Sequence, residues 1–100
     1  MKPIPYEKIL FERLKKDPEE AAGYLNAAYE EGGPKTFLVA LKDVIEAYGG
    51  MSFAAQKAKL NRVSLYRMLS RAGNPELQSL EKLLQILGLR LMILPLAKRR

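Results

Sequence analysis

The apolar positions of this chain recur mostly at helical spacing, and short clusters of glycine, proline and asparagine interrupt them. Tyr6, Ile9, Leu10 and Leu14 share one face and predict a first helix over 6–16. Asp17-Pro18-Glu19-Glu20 is a strong start signal for a second. Aspartate caps the free N–H groups, proline fits the first helical position, and glutamates favour the positive end of the helix dipole. Ala22, Leu25, Ala28 and Tyr29 predict its inward face, and Gly32-Gly33 its end. Pro34 opens a third helix, in which Phe37, Leu38, Leu41, Val44, Ile45 and Tyr48 make a wide apolar face. Lys35, Lys42, Asp43 and Glu46 take the other side, and Gly49-Gly50 stops it.

The stretch from Met51 to Ser70 predicts two short helices joined by a tight turn, a helix-turn-helix. Ser52 is expected to cap the first. Ala54, Ala55 and Ala58 give it a slim inner face over which the second can cross closely. Asn61 is expected to cap the second, with Leu65 and Met68 inward and Arg62, Val63, Tyr66 and Arg67 outward. Lys59 holds the turn position where glycine is usual, because the chain there often turns left-handed, at a cost of about 1 kcal/mol. Residues 71–75 read as a loop with an Asn74-Pro75 turn signal. Leu77 is expected to fold onto the core, and Ser79 to cap a last helix over 79–88, with Leu80, Leu83, Leu84 and Leu87 inward and Gly88 at its end.

Leu89 to Leu94 has strand character and is terminated by Pro95, with both faces largely apolar. No other stretch is a convincing strand. A lone apolar strand needs a partner, and the simplest is the same strand of a second copy, through Leu89, Leu91, Met92, Ile93 and Leu94. The other reading is an irregular tail packed on its own helices. The expectation is therefore one all-α domain over 1–100, with five to six helices and a short C-terminal strand used in dimerisation.

Charge sharpens this picture. Residues 1–50 hold seven Lys/Arg and nine Asp/Glu; residues 51–100 hold ten and two. The second half is thus at +8 against −2 for the first, which suits a polyanion-binding face on a mildly acidic platform. Arginine on an exposed helix face fits the major groove, where it can bond guanine bidentately or reach phosphate. Arg62, Val63 and Ser64 lie in the first turn of the second helix, the part that reaches base edges. Arg67 can read guanine or hold a phosphate. Tyr66 has two open readings, a phosphate hydrogen bond or inward packing. Ser52, Gln56 and Lys57 are candidates for backbone contacts, which position a protein without carrying sequence information. Lys59, Arg71 and the basic end Ala97-Lys98-Arg99-Arg100 add electrostatics. Phe53 is expected to pack on the N-terminal helices, with a partner surface as the second option.

The remaining chemistry is excluded by what is missing. The chain has no cysteine and no histidine, which removes disulfides, thiol nucleophiles, the commonest metal ligand and the commonest general base. Glu19/Glu20 and Glu30/Glu31 are paired, but at helix ends, where capping accounts for them. No enzyme activity, metal or cofactor is expected. MKPIPYEK has no long apolar run behind it and is not expected to be a signal peptide, and the longest apolar run, Leu91 to Leu94, is too short to span a membrane. A cytoplasmic location is expected.

Two runs, DPEEAAGYLNAAYEEGGPKTFLVALKDVIEAYGGMS and LNRVSLYRMLSRAGNPELQSLEKLLQILGLRL, resemble the HigA-like probable addiction module antidote proteins. The resemblance covers roughly Tyr6 to Ile93. It is most specific in the acidic-capped YLN helix, the LYRMLS helix and the GNP loop; Lys59 and Phe53 depart from the pattern. It implies a lambda-repressor-like domain with a helix-turn-helix of the Cro/C1 (XRE) type. It also implies an antitoxin that neutralises a RelE/ParE-superfamily (HigB-like) toxin and, as a homodimer, represses its own operon by binding double-stranded operator DNA. Its DNA contacts would be Ser52, Gln56, Lys57, Asn61, Arg62, Val63, Ser64, Tyr66, Arg67 and Arg71. The alternative is a stand-alone phage-type repressor without a toxin. A third reading is a protein-interaction module that keeps the fold and has lost DNA binding.

Overall fold

The computed structural model describes residue 12, residues 17–70 and residues 72–97. The expected first helix over 6–16, apart from Glu12, which is helical, lies outside the described residues, as do Arg71 and residues 98–100. The described residues form four helices: α1 (Pro18–Tyr48), α2 (Met51–Ala58), α3 (Arg62–Met68) and α4 (Leu77–Ile86).

Helix α1 begins as its sequence dictates. The Asp17 carboxylate accepts a hydrogen bond from the Glu19 N–H at 2.9 Å, and Pro18 takes the first helical position. The helix is broken at Gly33, with φ 74° and ψ −163°. Proline pushes the residue before it out of the helical region, and this particular conformation is essentially open to glycine alone. Gly33-Pro34 therefore divides α1 into two helical segments, where the sequence places the end of one helix and the start of the next. Leu25 and Ala21 are buried in the first segment, and Leu38, Ala40, Leu41, Val44 and Ile45 in the second. Tyr29 corrects its expected inward position. It is more than half exposed, and its ring meets Phe37 edge-on across the break, centroids 6.0 Å apart.

Helix α2 is the hub, packing against each of α1, α3 and α4. Its alanines explain why. Ala54, Ala55 and Ala58 are buried with Met51, and side chains this short let three neighbours approach one helix. Ser52 does not cap it. The N-cap is Gly50, without a side-chain bond, and Ser52 is exposed one position inside the helix.

The turn after α2 is set by hydrogen bonds. The Leu60 N–H donates to the Ala55 carbonyl at 2.8 Å and the Lys59 N–H to the Gln56 carbonyl at 3.2 Å, the Schellman closure of a helix end. That closure requires a left-handed residue, and Lys59 supplies it at φ 58°, ψ 47°. The same pair of bonds ends α4, where Leu89 N–H meets the Leu84 carbonyl at 2.8 Å and Gly88 N–H the Gln85 carbonyl at 3.0 Å. There glycine holds the left-handed position, at φ 78°. Lys59→Gly should therefore stabilise the protein. Relief of about 1–2 kcal/mol of left-handed strain outweighs the roughly 0.4–1 kcal/mol of chain entropy that glycine adds to the unfolded state. Urea unfolding should show a midpoint above wild type.

Helix α4 starts three residues earlier than a cap at Ser79 implies. Its N-cap is Glu76 and its first residue Leu77. Leu77 is 69 % exposed and does not fold onto the core. Leu83, Leu84 and Leu87 are buried and Leu80 packs against them. The expected strand over 89–94 is absent: residues 89–97 have no regular structure, and no described residue forms a strand. A strand needs hydrogen bonds from a neighbouring backbone, and no described segment supplies one. Leu89 instead packs on the core as the apolar residue that completes the α4 closure. Leu91, Met92, Ile93 and Leu94 are exposed.

Candidate nucleic-acid interface

The candidate site is the outer face of α3 with the exposed side of α2. A helix of seven residues does not persist alone in water, so α3 depends on its inward residues. Leu65 and Leu69 are buried and Met68 packs partly against the core. The Asn61 side-chain oxygen accepts the Ser64 N–H at 3.0 Å, the expected cap. At the other end the Ser70 hydroxyl donates to the Arg67 carbonyl at 2.9 Å. Gly73 then passes so close to the Met68 and Arg67 carbonyls that a β-carbon there would collide with them. The loop after α3 can fold against the helix end because that residue has no side chain.

With its inner side fixed, α3 turns Arg62, Val63, Tyr66 and Arg67 to solvent, and Ser64 is half-buried. Ser52, Gln56 and Lys57 are exposed on α2. The two helices and their turn carry four cations, Lys57, Lys59, Arg62 and Arg67, and no carboxylate. The sequence thus places these residues on the exposed side of one helical pair. Arg71 lies outside the described residues. Phe53 is half-exposed, with its ring over Gly49 at the end of α1 and the Lys57 ammonium 5.8 Å from its centroid. Its expected packing on the N-terminal helices is reduced to this contact at the end of α1, and it stands outside the core cluster.

One participant is not legible in the sequence. Lys42, on the polar side of α1, reaches α3 and places its ammonium 5.4 Å from the Tyr66 ring centroid. The Arg62 guanidinium lies 5.8 Å from the same centroid. Tyr66 is thus neither buried packing nor a free phenol but a ring shared by two cations. Helical periodicity puts Lys42 on an outward face. Only the approach of α1 to α3 brings it to Tyr66. A shallow cleft of about 450 Å³ lies here, lined by Val39, Lys42, Asp43, Glu46, Tyr66 and Leu69 among others. The Asp43 carboxylate accepts a hydrogen bond from the Tyr24 hydroxyl at 2.8 Å, which ties the two segments of α1 together. No group of acidic residues among the described residues is arranged to hold a metal ion, and no described helix is long and apolar enough to cross a membrane.

The chain belongs to the probable addiction module antidote protein family, whose model matches residues 9–95. It is 35 % identical over 75 residues to an uncharacterized protein of Haemophilus influenzae, a match that covers 75 % of this chain and 76 % of that protein. No solved structure matches the chain.

Proposed function

We propose that this chain is the antitoxin of a type II toxin–antitoxin module, with two surfaces. One binds operator DNA and represses the chain's own operon; the other neutralises a RelE/ParE-superfamily, HigB-like toxin. The observation that carries the DNA half is the exposed face of α3. Arg62, Val63 and Arg67 project from a helix held in place by the buried Leu65 and Leu69, and no carboxylate lies within 51–70. Such a helix of the Cro/C1 type enters the major groove and presents its first turn to base edges. Arg62, Val63 and Ser64 take the base-reading positions. Ser52, Gln56 and Lys57 on α2 hold the backbone, Arg67 reads guanine or holds a phosphate, Tyr66 lies on the same face, Arg71 adds electrostatics, and Asn61 fixes the start of the reading helix.

The toxin half is supported by membership of the antidote family and by charge. Asp17, Glu19, Glu20, Glu30 and Glu31 are exposed on the first segment of α1. An acidic surface is suited to a basic, RNA-cleaving partner. Family membership favours this reading over a stand-alone phage-type repressor. Co-expression with the adjacent reading frame tests it: the antitoxin reading requires that the neighbour arrest growth alone, that this chain relieve the arrest, and that the two co-purify. An adjacent frame without toxicity leaves the repressor reading in its place.

The active form in this reading is a homodimer joined through Leu91 to Leu94. These residues and Leu96 form the longest exposed apolar run among the described residues, and Ile93 is 94 % exposed. A run of that kind marks a protein contact. Because Ile93 touches little in its own chain, Ile93→Asp should leave thermal stability close to wild type and shift sedimentation from dimer to monomer. An Ile93→Asp protein that still sediments as a dimer moves the contact elsewhere.

A further inference from the structure

Tyr66 is the point at which the platform helix and the reading helix share charge. Its ring has the Arg62 guanidinium and the Lys42 ammonium both within 6 Å of its centroid, one cation from α3 and one from α1. Arginine and lysine are long side chains, and a free one loses much rotamer freedom when a ligand orders it. An aromatic ring reduces that loss in advance. A guanidinium against a ring face keeps its edge donors available for a base or a phosphate. Two cations gathered at one ring also repel each other, and a phosphate between or beside them relieves the repulsion. Asp43, whose carboxylate accepts the Tyr24 hydroxyl, and Glu46 line the same cleft and offset part of that repulsion in the free protein.

We propose that Tyr66 is a positioning residue of the DNA face. Its ring holds Arg62 ready for the groove and gathers Lys42 of α1 onto the same basic surface, making Lys42 a phosphate contact outside the helix-turn-helix. This rests on the DNA-binding reading above. It assigns the aromatic ring of Tyr66, rather than its hydroxyl, as the group that matters.

The test uses the full chain, a duplex of the promoter region upstream of its own gene, and a random-sequence duplex of equal length. Tyr66→Leu should weaken promoter binding by about fivefold, the ordering cost of side chains that the ring no longer holds in advance. Tyr66→Phe, which keeps the ring, should bind within about twofold of wild type. Lys42→Ala should lower the salt slope of binding by about 0.9, the signature of one lost phosphate contact. In the Tyr66→Leu background the Lys42→Ala effect should shrink, because the ring that gathers Lys42 is already gone. A DNA-free readout stands beside these: ring currents should move the Arg62 side-chain protons upfield in the free protein, and Tyr66→Leu should abolish the displacement. Circular-dichroism melting of each variant close to wild type excludes misfolding as the cause.

Tyr66→Phe as damaging as Tyr66→Leu assigns the role to the hydroxyl and overturns the proposal. So do unchanged promoter binding by Tyr66→Leu, strictly additive effects of the two substitutions, or Arg62 resonances at their ordinary positions. Displaced Arg62 resonances in a protein that binds neither duplex instead refute the DNA-binding reading and, with it, the role assigned to Tyr66.

Discussion

Arg62→Ala and Arg67→Ala should each fold like wild type and each lose specific promoter affinity, by about 1–3 kcal/mol where the arginine reads a base. Both side chains are exposed, so their removal leaves no cavity and no buried partner without a bond. The two arginines need not fail in the same way. A base-reading arginine loses affinity for the promoter and little for random duplex. A phosphate-holding one weakens both duplexes alike and lowers the salt slope by about 0.9. Arg62 lies in the first turn of α3 and is expected to follow the first pattern. Arg67 lies more than a turn further on, where either pattern is geometrically available. Titrations of both duplexes at several salt concentrations separate these outcomes.

Leu65→Ala should act on the same function by a different route. Leu65 has no exposed surface, and it is the inward anchor of a helix too short to persist by itself. Removing a leucine side chain from a packed core costs about 2–5 kcal/mol. A domain of this size holds only about 5–15 kcal/mol of net stability. At roughly 4–8 °C per kcal/mol, the melting temperature should fall by about 8 °C or more. DNA binding should weaken together with the cooperative unfolding transition, whereas the arginine variants lose binding with the transition unchanged. A Leu65→Ala protein that melts at the wild-type temperature would mean that α3 is held by something other than its buried face.

Local chemistry makes most of this architecture readable in the sequence. The Asp17-Pro18 start, the Gly33-Pro34 break, the alanine face of α2, the Asn61 cap and the left-handed demand at Lys59 are each decided by a few neighbouring residues. Each is found where the sequence puts it. The misreadings share a different cause. Ser52 and Ser79 are good capping residues, but a helix starts where its neighbours let it, and Gly50 and Glu76 take those places. Tyr29 and Leu77 have apolar bodies at plausible core positions, yet the crossing helices leave them exposed. The strand over 89–94 failed for a stricter reason, since strand structure belongs to a pair of segments and cannot be assigned to one of them alone.

At the candidate site the same division holds. Which side of α3 faces outward follows from period and charge, and Arg62, Val63, Tyr66 and Arg67 are exposed accordingly. The role of Lys42 does not follow, because it depends on how α1 approaches a helix that begins twenty residues later. The notable feature of Tyr66 is likewise its neighbours. A tyrosine on a half-exposed helix face is compatible with packing, with a phosphate bond, or with neither until the adjacent cations are placed.

The measurement that bears most directly on the central claim is a hydroxyl-radical footprint of the full chain on its own promoter. A dimer reading DNA through α3 should protect two related half-sites with centres about one helical turn, roughly 10 base pairs, apart. Arg62→Ala should lose that protection at protein concentrations where wild type retains it. Uniform protection without half-sites, or an identical footprint from Arg62→Ala, contradicts the assignment of α3 as the reading helix.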